Sequence, residues 1–174
     1  MKHALNLTID PGECTGLAWG FGAHLLACAA AGPGDALEVP DVVNTACHVG
    51  NTFESVGAYG GHMVIELPRF YPPKTYGHPK RATAIGNALI RESVTLGRWE
   101  ERAHLLGFTF EEIYPRAWKG SIKKKAMCMH VIKCMTPDER KMVSATLKAS
   151  KLAKSKTHNV LDAIGMFFWK VGRL

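Results

Sequence analysis

Three carboxylates stand where a folded chain rarely leaves an acid by itself. Asp10 ends the apolar, β-rich run at 4–10 and is followed at once by Pro11 and Gly12. Glu66 closes a second buried-strand pattern, His62-Met63-Val64-Ile65-Glu66. Asp162 interrupts the segment 160–169, which is otherwise so apolar that its one acid must face something polar. His158 and Asn159 precede it at the i−4 and i−3 positions, on the same face of a helix. An ionised carboxylate is costly to bury without a partner. A salt bridge to a lysine would satisfy each acid singly. Together, three oxygen donors from separated segments are what hard divalent cations require.

The elements that must position these acids follow from pattern and punctuation. Residues 4–10, 16–20 and 23–30 are expected to form a three-stranded meander turning near Phe21 and Gly22. A helix is expected over 41–59, ended by Gly60-Gly61, and then a short buried strand over 62–67. Four prolines within 68–79 exclude a helix there and indicate a loop directly after Glu66. The spacing of Ile85, Leu89, Leu96, Trp99, Ala103 and Leu106 predicts a long helix over 82–106, stopped by Gly107. Residues 108–114 alternate as a strand, and helices are expected over 122–133, 137 to about 153, and 157–172. The order implies an α/β domain with a mixed five-stranded sheet. With 174 residues, one domain spanning 1–174 is expected.

Composition narrows the function classes. No apolar run approaches the roughly 20 residues of a membrane span, and no signal-type segment opens the chain, so a soluble, cytoplasmic protein is expected. Five scattered cysteines, Cys14, Cys28, Cys47, Cys128 and Cys134, form no CxxC pair, which argues against a disulfide framework or a zinc site. The net charge of +7 is local: residues 116–156 carry 12 Lys and Arg against 2 acids, leaving −3 on the rest. So concentrated a positive field suits a polyanion, nucleic acid being the commonest.

The motifs resemble those of RuvC-type Holliday junction resolvases, within the RNase H-like superfamily. Leu7-Thr8-Ile9-Asp10-Pro11-Gly12, followed by Thr15-Gly16-Leu17, looks like the family's first motif, and Val64-Ile65-Glu66 its second. Tyr114-Pro115-Arg116-Ala117-Trp118-Lys119-Gly120 is similar to the segment after the family's fifth strand, and 158–165 to its acidic C-terminal helix, in a short form like that of bacteriophage members. The resemblance spans nearly the whole chain in order. It implies an RNase H-like fold with helices on both sheet faces, a homodimer paired through the 82–106 helix, and paired nicking of four-way DNA junctions in recombination and repair.

It further implies a catalytic, metal-binding set of Asp10, Glu66 and Asp162, holding two Mg²⁺ ions about 4 Å apart, with Mn²⁺ able to substitute. One position departs: where the family places an acid or histidine three residues before the last aspartate, this chain has Asn159, beside His158. Asn159 as a neutral ligand, His158 as its substitute, and an inactivating change are three open readings. Lys119, Lys123, Lys124, Lys125 and Arg116 are expected to meet DNA phosphates. Arg69, Phe70, Tyr71 and Tyr76 occupy the loop after Glu66, where an aromatic could stack on an opened base. Competing readings are a nuclease of forks, flaps or RNA hybrids, and a catalytically impaired branched-DNA-binding protein. An actin-like ATPase would need a second such domain.

Overall fold

A computed structural model describes residues 5–12, 14–31, 61–67, 79–105, 107–150 and 157–174. The expected helix over 41–59, the proline-rich loop, and the side chains of Ile85, Leu106, Arg69, Phe70, Tyr71 and Tyr76 lie outside the described residues.

Strands β1 (Leu5–Asp10), β2 (Thr15–Phe21) and β3 (His24–Ala31) form the expected meander, and β4 (Gly61–Glu66) and β5 (Phe108–Ile113) complete a sheet in the order β3-β2-β1-β4-β5. β2 runs antiparallel to β1 and β3, whereas β1, β4 and β5 are mutually parallel. A mixed sheet of this order, opened by a meander and continued by parallel strands, is the RNase H-like fold. The tight turn between β2 and β3 uses Gly22 at φ 54, a left-handed conformation that costs glycine little.

Strand period assigns the two faces. Leu5, Leu7, Ile9, Leu17, Trp19, Met63, Ile65 and Phe108 point to one side, where Trp99 and Ala103 of helix α1 (Pro79–Leu105) close a core. Ala18, Val64 and Ile113 point to the other. That side is covered by α2 (Pro115–Lys119), α3 (Lys124–Cys134), α4 (Pro137–Ala149) and α5 (Thr157–Lys170). Both faces therefore carry helices, as the resemblance implies.

α5 lies over the middle of the sheet because β2 offers it almost no side chains. Gly16, Ala18 and Gly20 alternate along that face, and a Cβ at Gly16 would fall 2.0 Å from the Asn159 carbonyl oxygen. Gly16, expected at the start of the second strand, pairs with Asp10, and the space above it belongs to the first turn of α5. The Thr8 hydroxyl, fully buried, donates to the Ala163 carbonyl at 2.7 Å and fastens β1 to the same helix.

Helix limits moved modestly from expectation. α1 begins at Pro79, a residue well suited to a first turn, rather than at 82, and stops where Gly107 at φ 69 returns its N–H to the His104 carbonyl. α3 begins at Lys124 rather than 122, and the unanticipated short α2 precedes it, with Pro115 at its start. α4 opens with a reciprocal capping box between Thr136 and Glu139.

Candidate metal centre

The alternation that builds the core also gathers the acids. On β1, Leu5, Leu7 and Ile9 face α1, so Thr8 and Asp10 face α5; on β4, Met63 and Ile65 face α1, so Val64 and Glu66 face α5. β1 and β4 are parallel with Ile9 opposite Ile65, so one further step brings Asp10 and Glu66 side by side at the carboxyl ends of neighbouring strands. Asp162 descends from α5 onto the same place. Asp10, Glu66 and Asp162 are 8%, 9% and 4% exposed, against a core of nearly fully buried residues.

Lys119 holds two of the three together. Its ammonium stands 3.2 Å from Glu66 Oε2, 3.3 Å from Glu66 Oε1 and 3.5 Å from Asp162 Oδ2. It also lies 4.7 Å from the centre of the Trp118 ring, a cation–π arrangement. The Trp118 indole N–H donates to Glu66 Oε2 at 2.6 Å, a short charge-assisted bond. α2 makes this possible: Pro115 starts a single helical turn, burying Trp118 under α5 and turning the next residue into the pocket. Lys119, expected among the phosphate-facing lysines, is thus directed inward. Among the described residues, no hydrogen bond or ion pair within 4 Å reaches Asp10.

The electrostatics follow from this crowding. Burial, then the Glu66 and Asp162 charges, raise the Asp10 pKa well above the ordinary carboxylate range, with Lys119 and Lys124 only partly opposing. Burial raises Glu66 too, and Lys119 and the Trp118 N–H counter part of that rise. For Lys119, burial works to lower the pKa, but Glu66 and Asp162 outweigh it and the ammonium is held above its ordinary value. Asp10 and Glu66 thus hold a proton more tightly than free carboxyls do.

The donor chemistry is that of a hard-cation site: oxygen ligands from three carboxylates, with one ammonium against three acids. Among the described residues, however, no group of three or more Asp, Glu, His or Cys side chains is arranged as it stands to hold a metal ion. Asn159 lies next to the pocket, its amide nitrogen donating to the Cys14 carbonyl in the β1–β2 turn. It therefore ties α5 to that turn. His158, half-buried, occupies the adjacent position at the start of α5.

Of the residues expected to meet DNA, Arg116, Lys123, Lys124 and Lys125 are exposed on α2 and at the start of α3. Lys124 is near enough for its charge to act on Asp10. The sequence reading missed Trp118 as the partner of Glu66. A detectable signal existed: Pro115 with Gly120 five residues on brackets one helical turn, on which an apolar Trp beside a Lys implies an inward face. Among the described residues, no helix is long and apolar enough to cross a membrane.

No family model matches the chain, and no curated protein matches it either. Among solved structures, it is similar to Thermus thermophilus RuvC in complex with Holliday junction substrate, at 19% identity over 97% of each chain, with a TM-score of 0.43. A second Thermus thermophilus RuvC structure is 16% identical over 97% of this chain and 96% of that one, with a TM-score of 0.45. The strand order and directions are those of the RNase H-like fold.

Proposed function

We propose that this protein is a Mg²⁺-dependent, structure-specific endonuclease that acts on branched DNA, cutting paired strands of a four-way junction as a homodimer. The observation that carries the reading is the meeting of Asp10, Glu66 and Asp162, from β1, β4 and α5, in one buried pocket beside an exposed basic surface. The four motifs that resemble the resolvase family fall on the elements that build this pocket.

Asp10 is the ligand on which the reading depends, joined by Asp162 and Glu66. A bound divalent ion there would supply Lewis-acid polarisation of the scissile phosphate and lower the pKa of an attacking water. Trp118 and Lys119 donate to the Glu66 carboxylate and fix its position in the pocket. Lys123, Lys124, Lys125 and Arg116 would bind the DNA backbone, giving affinity without sequence reading. Arg69, Phe70 and Tyr71 follow the catalytic strand in sequence and would engage the opened junction, an aromatic stacking on an unpaired base.

Cuts placed symmetrically on two strands call for two sites related by a twofold axis. Helix α1 exposes Ile90, Val94 and Leu105, apolar residues that a partner copy would cover.

The test is incubation with Mg²⁺ and a panel of four-way junction, fork, flap, RNA–DNA hybrid and linear duplex. Paired, symmetric nicks confined to the junction support the proposal. Preferential cutting of another branched or hybrid substrate overturns the junction assignment and retains the nuclease. Binding without cutting on every substrate overturns the nuclease.

A further inference from the structure

Two divalent ions are what the resemblance implies for this pocket, yet the chain already places a cation of its own inside it. We infer that Lys119 serves as a fixed cation of the site, so that the pocket takes one divalent ion rather than two. The inference rests on the reading that the pocket binds a divalent ion at all.

Geometry supplies the first argument. Both oxygens of Glu66 already accept from protein donors: Oε2 from the Trp118 N–H at 2.6 Å, and each from the Lys119 ammonium, at 3.2 and 3.3 Å. The same ammonium stands 3.5 Å from Asp162 and against the Trp118 ring. An ion seated between Glu66 and Asp162 would have to displace a side chain that two carboxylates and an aromatic face hold in place. Asp10 differs: it is buried to the same degree, but the Lys119 ammonium rests on Glu66 and Asp162 and acts on Asp10 only through its charge, as Lys124 does. Glu66 and Asp162 therefore share one cation directly, and Asp10 beside them does not.

Charge supplies the second. Three carboxylates less one ammonium leave two negative charges, which one divalent ion neutralises. A second would leave the buried pocket positive before any phosphate arrived, and like charges close together in a poorly screened site repel strongly. The position expected to strengthen a second ion is Asn159, which is neutral and whose amide nitrogen is committed to the Cys14 carbonyl. Each feature that departs from a two-ion site is thus one that lessens the need for the second ion.

Calcium equilibrium dialysis on the full chain, alone and bound to a four-way junction, counts the ions without relying on cleavage. Those lost in Asp10→Asn are the pocket's own. One pocket ion per chain is expected for the wild type and for Lys119→Arg, and two for Lys119→Met, whose first ion binds at least about tenfold tighter once the ammonium is gone. Two ions in the wild type overturn the inference whether or not the variant folds, as does a folded Lys119→Met that still takes one. No pocket ion in the wild type, with or without junction, overturns instead the metal-binding reading on which this one rests.

Discussion

The Asn159 amide nitrogen donates to the Cys14 carbonyl, joining the first turn of α5 to the turn that follows Asp10 across 145 positions of sequence. This bond answers part of the question the sequence left open. A carboxylate at 159 would turn an acceptor toward that carbonyl, leaving it unsatisfied and adding repulsion. Asn159→Asp is therefore expected to cost about 1–3 kcal/mol in urea unfolding and to leave Mg²⁺-dependent cleavage no higher than in the wild type. A variant that is both stable and more active would show that position 159 serves the metal and not the turn.

Gly16 supports the same junction from below. A methyl group there would meet the Asn159 carbonyl oxygen at 2.0 Å and its carbonyl carbon at 2.2 Å, both backbone atoms. Gly16→Ala must push α5 off the sheet, taking Asp162 with it. A loss of about 3 kcal/mol or more is expected, together with loss of cleavage. Unchanged unfolding midpoints would contradict the close packing of α5 on β2.

Removing the Asp10 charge has a stability consequence of definite sign. Its pKa is raised by burial and by Glu66 and Asp162, so the folded protein holds this proton more tightly than the unfolded chain. Stability from this group is accordingly present at low pH and lost as pH rises through the unfolded carboxylate value toward the folded one. Without divalent ions at neutral pH, Asp10→Asn should melt about 3 °C or more above the wild type. Added Mg²⁺ should raise the wild-type melting temperature and leave the variant unchanged. A variant less stable than the wild type in the absence of metal would contradict the placement of Asp10.

Glu139 behaves oppositely. Burial alone would raise its pKa, but bonds from Arg173 at 2.7 Å and from the backbone N–H groups of Thr136 and Leu25 bring it from 4.5 to about 2. Its contribution is present above pH 4.5 and lost as pH falls toward 2. Glu139→Gln should flatten the acid limb of a stability-against-pH curve within that window. An unaltered limb would remove this ion pair from the account of how the chain end is fastened to β3 and α4.

Lysines 123, 124 and 125 are exposed beside the pocket. Each replaced by Ala should lower the slope of log affinity against log salt by about one for four-way junction and duplex alike. A slope indifferent to all three would place the DNA elsewhere.

Much of this was legible because period and punctuation act locally. The alternation around Asp10 and Glu66 gave two strands, and the apolar stretch around Asp162 gave a buried helix. Strand order then placed all three acids together. The fate of Lys119 was not legible. A lysine in a basic run is ordinarily solvated, and only the burial of Trp118 beneath α5 shows that the next side chain must turn inward. Nor did Gly16 reveal its role, because the atoms that crowd it belong to a helix more than a hundred residues away. Long-range packing of this kind leaves no periodic trace.

A metal-dependent nuclease centre anchored by Asp10 requires that the wild type and Asp10→Asn differ in cutting and not in binding, which is read by following a labelled four-way junction with Mg²⁺ and each protein, with binding measured in parallel. Paired nicks by the wild type, no cleavage by the variant, and similar junction affinity for both are the expected result. Cleavage retained by Asp10→Asn, or absent from the wild type, would contradict it.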